Sequence, residues 1–330
     1  MQHRYYLEDF RLVIEARKVI KNPTLSIWLL VYRLETPIHI YEPTKIIQGE
    51  GKMKKEVVYL SDDEVANLTA YLFEEPPESG KDWTPKKRPA ILIIPGGGYS
   101  YCSSREEDPV SLTFNKAGYQ AFVLKYHCGC ASAYPTPLVE IAKACSHIRN
   151  WSEEYRVDAN KIAVIGFSAG GHLASLLGSS WHQKSLEDLT GLHAVEMRPN
   201  AVLLGYPLVN LKPFTERLHD QDKNIPPVGA MIEEYAPHLD PLALVSEFTP
   251  PTYLFHTMGD KIILPIETIE YVTTLVKHDV NCEYHLFNEG EHGLSTSDSL
   301  SCYGRAYSKR IHYWVPMAIA WLNELFEYDF

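Results

Sequence analysis

The 330-residue chain has no apolar run approaching the roughly 18–20 residues of a membrane span. Its most apolar early stretch, residues 25–32, is closed by Arg33 and preceded by Glu8, Asp9 and Glu15. No small-residue cleavage site follows, so a secretory signal is not expected. Long basic runs are also missing, and the net charge is −11. That speaks against a nucleic-acid backbone or an anionic membrane as partner, since both need clustered Lys and Arg. Cysteines number six, too few for a disulfide framework at this length. Without an export signal they are expected as reduced thiols of a cytoplasmic protein. Cys128-Gly129-Cys130 has no second Cys/His pair at ligand spacing, so it reads as loop cysteines and no metal is expected. With Pro 22 and Gly 19 the chain is neither collagenous nor of low complexity, and aromatics at 12% argue against disorder.

What is present is a rhythm. From residue 90 onward short apolar runs alternate with longer amphipathic stretches. Strands are expected at 90–94, 120–126, 161–165, 201–206, 252–257 and 283–287. Helices are expected at 107–117, 137–155, from 170, at 266–278 and at 311–326. Nearly all-apolar strands alternating with helices imply a mostly parallel sheet covered by helices on both faces, an α/β class of fold. Residues 55–59 and 66–73 read as strands adding an antiparallel edge, and 76–87 as a loop before the core.

Residues 1–52 lack this rhythm and hold eight Lys/Arg against six Asp/Glu. At their end stands Gln48-Gly49-Glu50-Gly51-Lys52-Met53, which AT-leaning codons would write with a purine-rich GGAGAAGG ahead of ATG. Two readings stand side by side. Residues 1–52 are translated upstream sequence before a natural start at Met53, or they are a genuine extension of the single catalytic domain 53–330.

The segment that carries chemistry is Lys161 to His172, an apolar strand followed by Gly166-Phe167-Ser168-Ala169-Gly170 and a small-residue helix start. A serine lifted on a tight strand-to-helix turn is the nucleophile elbow of acyl transfer. A serine hydroxyl needs a base, itself oriented by a carboxylate, and in such a sheet both follow later in the chain. Asp260 falls in the loop after the strand at 252–257, and His292 in a Gly-flanked loop after the last strand. A turn or helix-capping aspartate is the bland alternative for Asp260, and Glu289 and Glu291 compete for its role. Ile94-Pro95-Gly96-Gly97-Gly98-Tyr99 follows the first core strand, where bared backbone N–H groups would face developing negative charge. No Lys-Ser/Thr follows to make it a phosphate loop.

These segments resemble the α/β-hydrolase superfamily, and within it the cap-poor esterases of the acetyl-xylan-esterase/feruloyl-esterase-like (BD-FAE-type) group. The resemblance covers roughly residues 66–326. It rests on Pro95-Gly96-Gly97-Gly98-Tyr99, Arg105-Glu106 with Asp108-Pro109-Val110, Ala117-Gly118-Tyr119, Gly166 to His172, Gly205-Tyr206-Pro207, His256-Thr257 and Gly290-Glu291-His292-Gly293. It implies an α/β-hydrolase fold with a minimal lid and no cofactor. It also implies Ser168 as nucleophile, His292 as base, Asp260 as orienting acid, and the N–H groups of Gly97, Gly98 and Ala169 as oxyanion donors. Two departures stand out. Pro95 replaces the His of the hormone-sensitive-lipase branch, and the Asp260–Pro265 spacing is one residue longer than the group's usual Asp-x-x-Val-Pro.

Residues 211–247 offer the only room for a lid, and they are polar, with Pro226-Pro227 and Pro237. Long-chain lipids are therefore not the expected substrate. Tyr99, Tyr101 and Tyr134 are candidates to line an open cleft and stack on sugar rings, or are ordinary loop aromatics. The expected activity is a serine carboxylesterase removing short acyl groups, acetyl foremost, from a small-molecule ester such as an acetylated xylan oligosaccharide. A peptidase or thioesterase on the same fold, or a non-catalytic binding protein, are the alternatives.

Overall fold

The computed structural model describes residues 12–18, 28–34, 53–73, 87–220, 225, 228–232, 236–304 and 306–329. Segments 48–52 and 76–86 of the sequence reading lie outside the described residues. The chain divides into two compact units, Met1–Pro43 and Thr44–Phe330. In the first, β1 (Leu12–Lys18) and β2 (Trp28–Leu34) form an antiparallel pair, in register from Leu12↔Leu34 to Lys18↔Trp28. The apolar run that the β/α rhythm leaves without a place is thus largely a strand with a partner.

The second unit is built on eight further strands. They are β3 (Met53–Tyr59), β4 (Asn67–Phe73), β5 (Arg88–Ile94), β6 (Gln120–Lys125), β7 (Val157–Phe167), β8 (Ala201–Gly205), β9 (Thr252–Thr257) and β10 (Cys282–Phe287). Their order across the sheet is β10-β9-β8-β7-β5-β6-β4-β3. β3 and β4 pair antiparallel, as do β4 and β6, and every pair from β6 through β10 is parallel. The α/β-hydrolase architecture expected from the sequence is the one observed.

The strands are apolar throughout because both faces are covered. In β5, Ala90, Leu92 and Ile94 enter one core while Ile91 and Ile93 enter the other, as the two-residue period of a strand requires. The first core is roofed by helices Thr136–Asn150, Ala169–Ser180 and Pro265–Lys277. The second is closed by Asp108–Lys116 and Trp314–Leu325. There Trp314 stacks on Phe255 with ring centroids 4.3 Å apart, and its indole N–H donates to the Ser295 carbonyl at 2.9 Å. Truncating such a ring costs about 3–5 kcal/mol, and here it would also release the loop that carries His292.

The two largest boundary differences from the sequence reading fall at one place. β7 starts at Val157 rather than 161, and the preceding helix ends at Asn150 rather than 155. Val157 pairs with Arg88 across a register shift, and the polar run Asp158 to Lys161 inside the irregularity hides the strand's periodicity. The site-bearing loops all leave the carboxyl ends of parallel strands, the crevice where ligands bind in such sheets. No helix among the described residues is long and apolar enough to cross a membrane.

Candidate active site

Ser168 joins β7 to the helix Ala169–Ser180 with φ 53° and ψ −118°. A side chain there adopts positive φ only where the surroundings enforce it. The enforcement is close packing on both sides. A Cβ added at Gly166 would lie 2.2 Å from the Gly170 carbonyl oxygen, and one at Gly170 would lie 2.2 Å from that of Ile94. Glycine is what permits the turn to fold against β5.

The turn brings the Ser168 hydroxyl to His292, donating to Nε2 at 2.8 Å. His292 Nδ1–H donates to Asp260 Oδ2 at 2.6 Å. These are the serine, histidine and aspartate singled out in the sequence. The competing acids point elsewhere: Glu289 accepts from the Ser308 hydroxyl at 2.6 Å, and Glu291 is exposed. Asp260 is buried, 1% exposed, and its Oδ1 accepts from the N–H groups of Ile262 and Ile263 at 2.9 and 3.0 Å. Burial alone would raise its carboxyl. The hydrogen bonds from His256 and His292 outweigh that and hold it well below the usual carboxylate range. It therefore stays ionised, able to fix the imidazole tautomer and to face an imidazolium.

Sequence reasoning counted His256 in the resemblance but gave it no role. Its Nε2–H donates to Asp260 Oδ2 at 3.0 Å, and its Nδ1 accepts from the Thr268 hydroxyl at 2.6 Å. A histidine inside a predicted strand reads as core. The signal was its place four residues before the acid.

Gly97, Gly98 and Ala169 line the same pocket as Ser168. Among the described residues none of their N–H groups is spent on a loop or turn hydrogen bond. The glycine loop rests on a second buried carboxylate. Glu106 accepts from the Gly96 N–H at 2.7 Å and from the Tyr206 hydroxyl at 2.6 Å. The Tyr206 oxygen also accepts from the Ser295 N–H at 2.8 Å, and its ring lies 5.0 Å from the His292 ring. Glu106 thus ties the glycine loop to the histidine loop. Burial raises its carboxyl, and the bonds from Tyr206 and Gly96 pull it partly back.

The pocket holds about 420 Å³. The three candidate tyrosines differ in their relation to it. Tyr101 lines it and is exposed, as a stacking ring must be. Tyr99 also borders the pocket, but its ring is fully buried, with its hydroxyl donating to His172 Nδ1 at 2.6 Å. That ring serves the loop rather than a ligand. Tyr134 is not among the lining residues and packs edge-on against His238, centroids 4.9 Å apart. Opposite stands an apolar wall unforeseen in the sequence, with Leu208, Phe214, Val228, Ile232, Ile262 and Ile263. Phe214 comes from the helix Leu211–His219, whose polar average conceals its one apolar face.

Such an arrangement can transfer an acyl group: a hydroxyl bonded to a base, a base held by a carboxylate, and free N–H groups beside them. Comparison with known proteins agrees in kind. The BD-FAE family model matches residues 81–275. The chain is 28% identical over 238 residues to endo-1,4-beta-xylanase B of Butyrivibrio fibrisolvens, covering 71% of this chain and 35% of that protein. It is 27% identical over 251 residues to an acetylxylan esterase of Xylanibacter ruminicola, covering 73% and 46%. The chain thus spans less than half the length of these curated relatives. Among solved structures, the carboxylesterase Cest-2923 from Lactobacillus plantarum superposes with TM-score 0.70 at 25% identity, covering 88% of this chain and 100% of that one.

Proposed function

Because this chain belongs to the BD-FAE family of α/β hydrolases, we propose that it is a serine carboxylesterase removing short acyl groups, acetyl foremost, from carbohydrate esters. The observation that carries the reading is the unbroken hydrogen-bond line Ser168–His292–Asp260 opening on a pocket bordered by unspent N–H groups.

In the proposed reaction His292 Nε2 takes the proton of the Ser168 hydroxyl as Oγ bonds to the ester carbonyl carbon. The carbonyl oxygen becomes an oxyanion facing the N–H groups of Gly97, Gly98 and Ala169. One such donor is typically worth about 10²–10³ in rate. Collapse breaks the C–O bond to the alcohol, which leaves with the proton from His292. A water repeats the sequence on the acyl-enzyme, with His292 again as base, and releases the acid. Asp260 keeps the Nδ1–H of His292 pointed at itself and balances the imidazolium charge, and His256 keeps Asp260 ionised.

Support for the carbohydrate comes from the acetylxylan esterase relative and from the exposed ring of Tyr101 at the mouth. Support for acetyl as the acyl group comes from the same relative, an acetylxylan esterase. The test is acetate release from acetylated xylo-oligosaccharides beside a 4-nitrophenyl ester series from acetate to decanoate. Rates that peak at decanoate, with no acetate released from the sugar, would refute it.

A further inference from the structure

One charged group at the pocket has no part in the reaction just described. Arg105 lines the cleft with Ser168 and His292 and is half-buried. Its backbone is anchored, the carbonyl accepting from the Ser295 hydroxyl at 2.7 Å. Its guanidinium lies against Gly293, where an added Cβ would come within 3.1 Å of Nη2. Nη1 is shut from solvent and meets no hydrogen-bond acceptor among the described residues. The adjacent carboxylate, Glu106, feels the Arg105 charge, but its oxygens accept from Gly96 and Tyr206 and not from the guanidinium, and no other acidic side chain among the described residues lines the pocket. A guanidinium stays charged and presents its donors in a planar fork that matches a carboxylate. Holding it half-desolvated, beside a carboxylate but without a hydrogen-bonded counter-ion, costs free energy, which a bound anion would offset.

The position of Arg105 says which part of an ester it would meet. In serine acyl transfer the alcohol departs beside the histidine that protonates it. Arg105 touches the residue next to His292, so it stands on the alcohol side. We propose that Arg105 is a specificity-determining residue that selects esters whose alcohol half carries a carboxylate, as an acylated uronic acid does. This rests on the serine-esterase reading above.

The test uses the full chain and two acetyl esters of one phenol framework, 4-acetoxybenzoate and its neutral methyl ester. The preference is the ratio of their kcat/KM values, taken within each variant so that a general loss of activity cancels. The wild type is expected to favour the anion by about fivefold to tenfold relative to Arg105→Gln, with Arg105→Lys between them. Added salt should narrow the wild-type preference. 4-Nitrophenyl hemisuccinate, with its carboxylate on the acyl half, should show no Arg105-dependent gain over 4-nitrophenyl acetate. A ratio equal in wild type, Arg105→Lys and Arg105→Gln would overturn the assignment. So would a hemisuccinate preference that Arg105→Gln removes. Should Arg105→Gln fail to fold, a wild-type ratio indifferent to both salt and Arg105→Lys overturns it as well. No hydrolysis of either acetyl ester would instead overturn the esterase reading beneath it.

Discussion

Acid should destabilise this fold through His172, and the effect can be worked from its surroundings. The ring is fully buried in the helix that follows Ser168. Its Nε2–H donates to the Leu239 carbonyl at 2.7 Å, and its Nδ1 accepts from the Tyr99 hydroxyl in the glycine loop. Both ring nitrogens are therefore satisfied only in the neutral form. Burial lowers the pKa from its ordinary 6.5 to about 4, against a smaller opposing pull from Leu239. Below pH 6.5 the unfolded chain takes up a proton there that the folded one refuses until about pH 4. Stability therefore falls as pH falls through that window, by about 1.4 kcal/mol per pH unit. The loss is about 2 kcal/mol at pH 5 and about 3 across the window. Buried carboxyls whose pKa is raised, such as Glu140 and Glu267, work in the opposite direction, so the wild-type profile alone does not isolate it. The comparison to make is with His172→Gln, by urea unfolding at pH 7.5 and pH 5. The variant should be less stable at pH 7.5, and the gap should close by about 2 kcal/mol at pH 5. A gap that stays constant between the two pH values would refute the reasoning.

Further expectations concern the reaction and the chain's layout. Ser168→Ala and His292→Ala should each lower kcat by about 10⁴–10⁶ with an unchanged far-UV spectrum, and substantial turnover by either pure variant would count against the mechanism. Asp260→Asn should be crippled while Glu289→Gln and Glu291→Gln are not, as read by kcat/KM on 4-nitrophenyl acetate. His256→Gln, which weakens a bond to a charged carboxylate, should lower kcat by about tenfold, and an unaltered kcat would remove His256 from the account. A chain beginning at Met53 should unfold cooperatively and keep its kcat/KM. A lower melting temperature would show that residues 1–52 contribute to the fold.

Legibility in the sequence followed periodicity and chain position. The parallel strands could be read because burial on both faces makes them apolar throughout, as Ile91 to Ile94 show. Ser168, Asp260 and His292 could be picked out because each follows the end of a strand in a loop of turn residues. β7's start was obscured because the chain spends polar residues on an irregular first stretch of the strand, where local composition stops reporting pairing. The supporting layer was harder still. Glu106 meets Tyr206 across a hundred positions of sequence, and His172 meets Leu239 across sixty-seven. Neither partner has a local pattern that names the other. The apolar wall of the pocket was hidden for a related reason, since Phe214 and Ile232 sit in polar segments and only the folded chain turns them inward.

The central claim is that Ser168 carries the acyl group. Its most direct test is covalent labelling with a serine-directed phosphonate, read by intact mass and then by peptide mapping. The account predicts one adduct per chain, on the peptide containing Ser168, with activity lost in proportion. Labelling should vanish in both Ser168→Ala and His292→Ala. An adduct on another serine, or full labelling of Ser168→Ala, would contradict it.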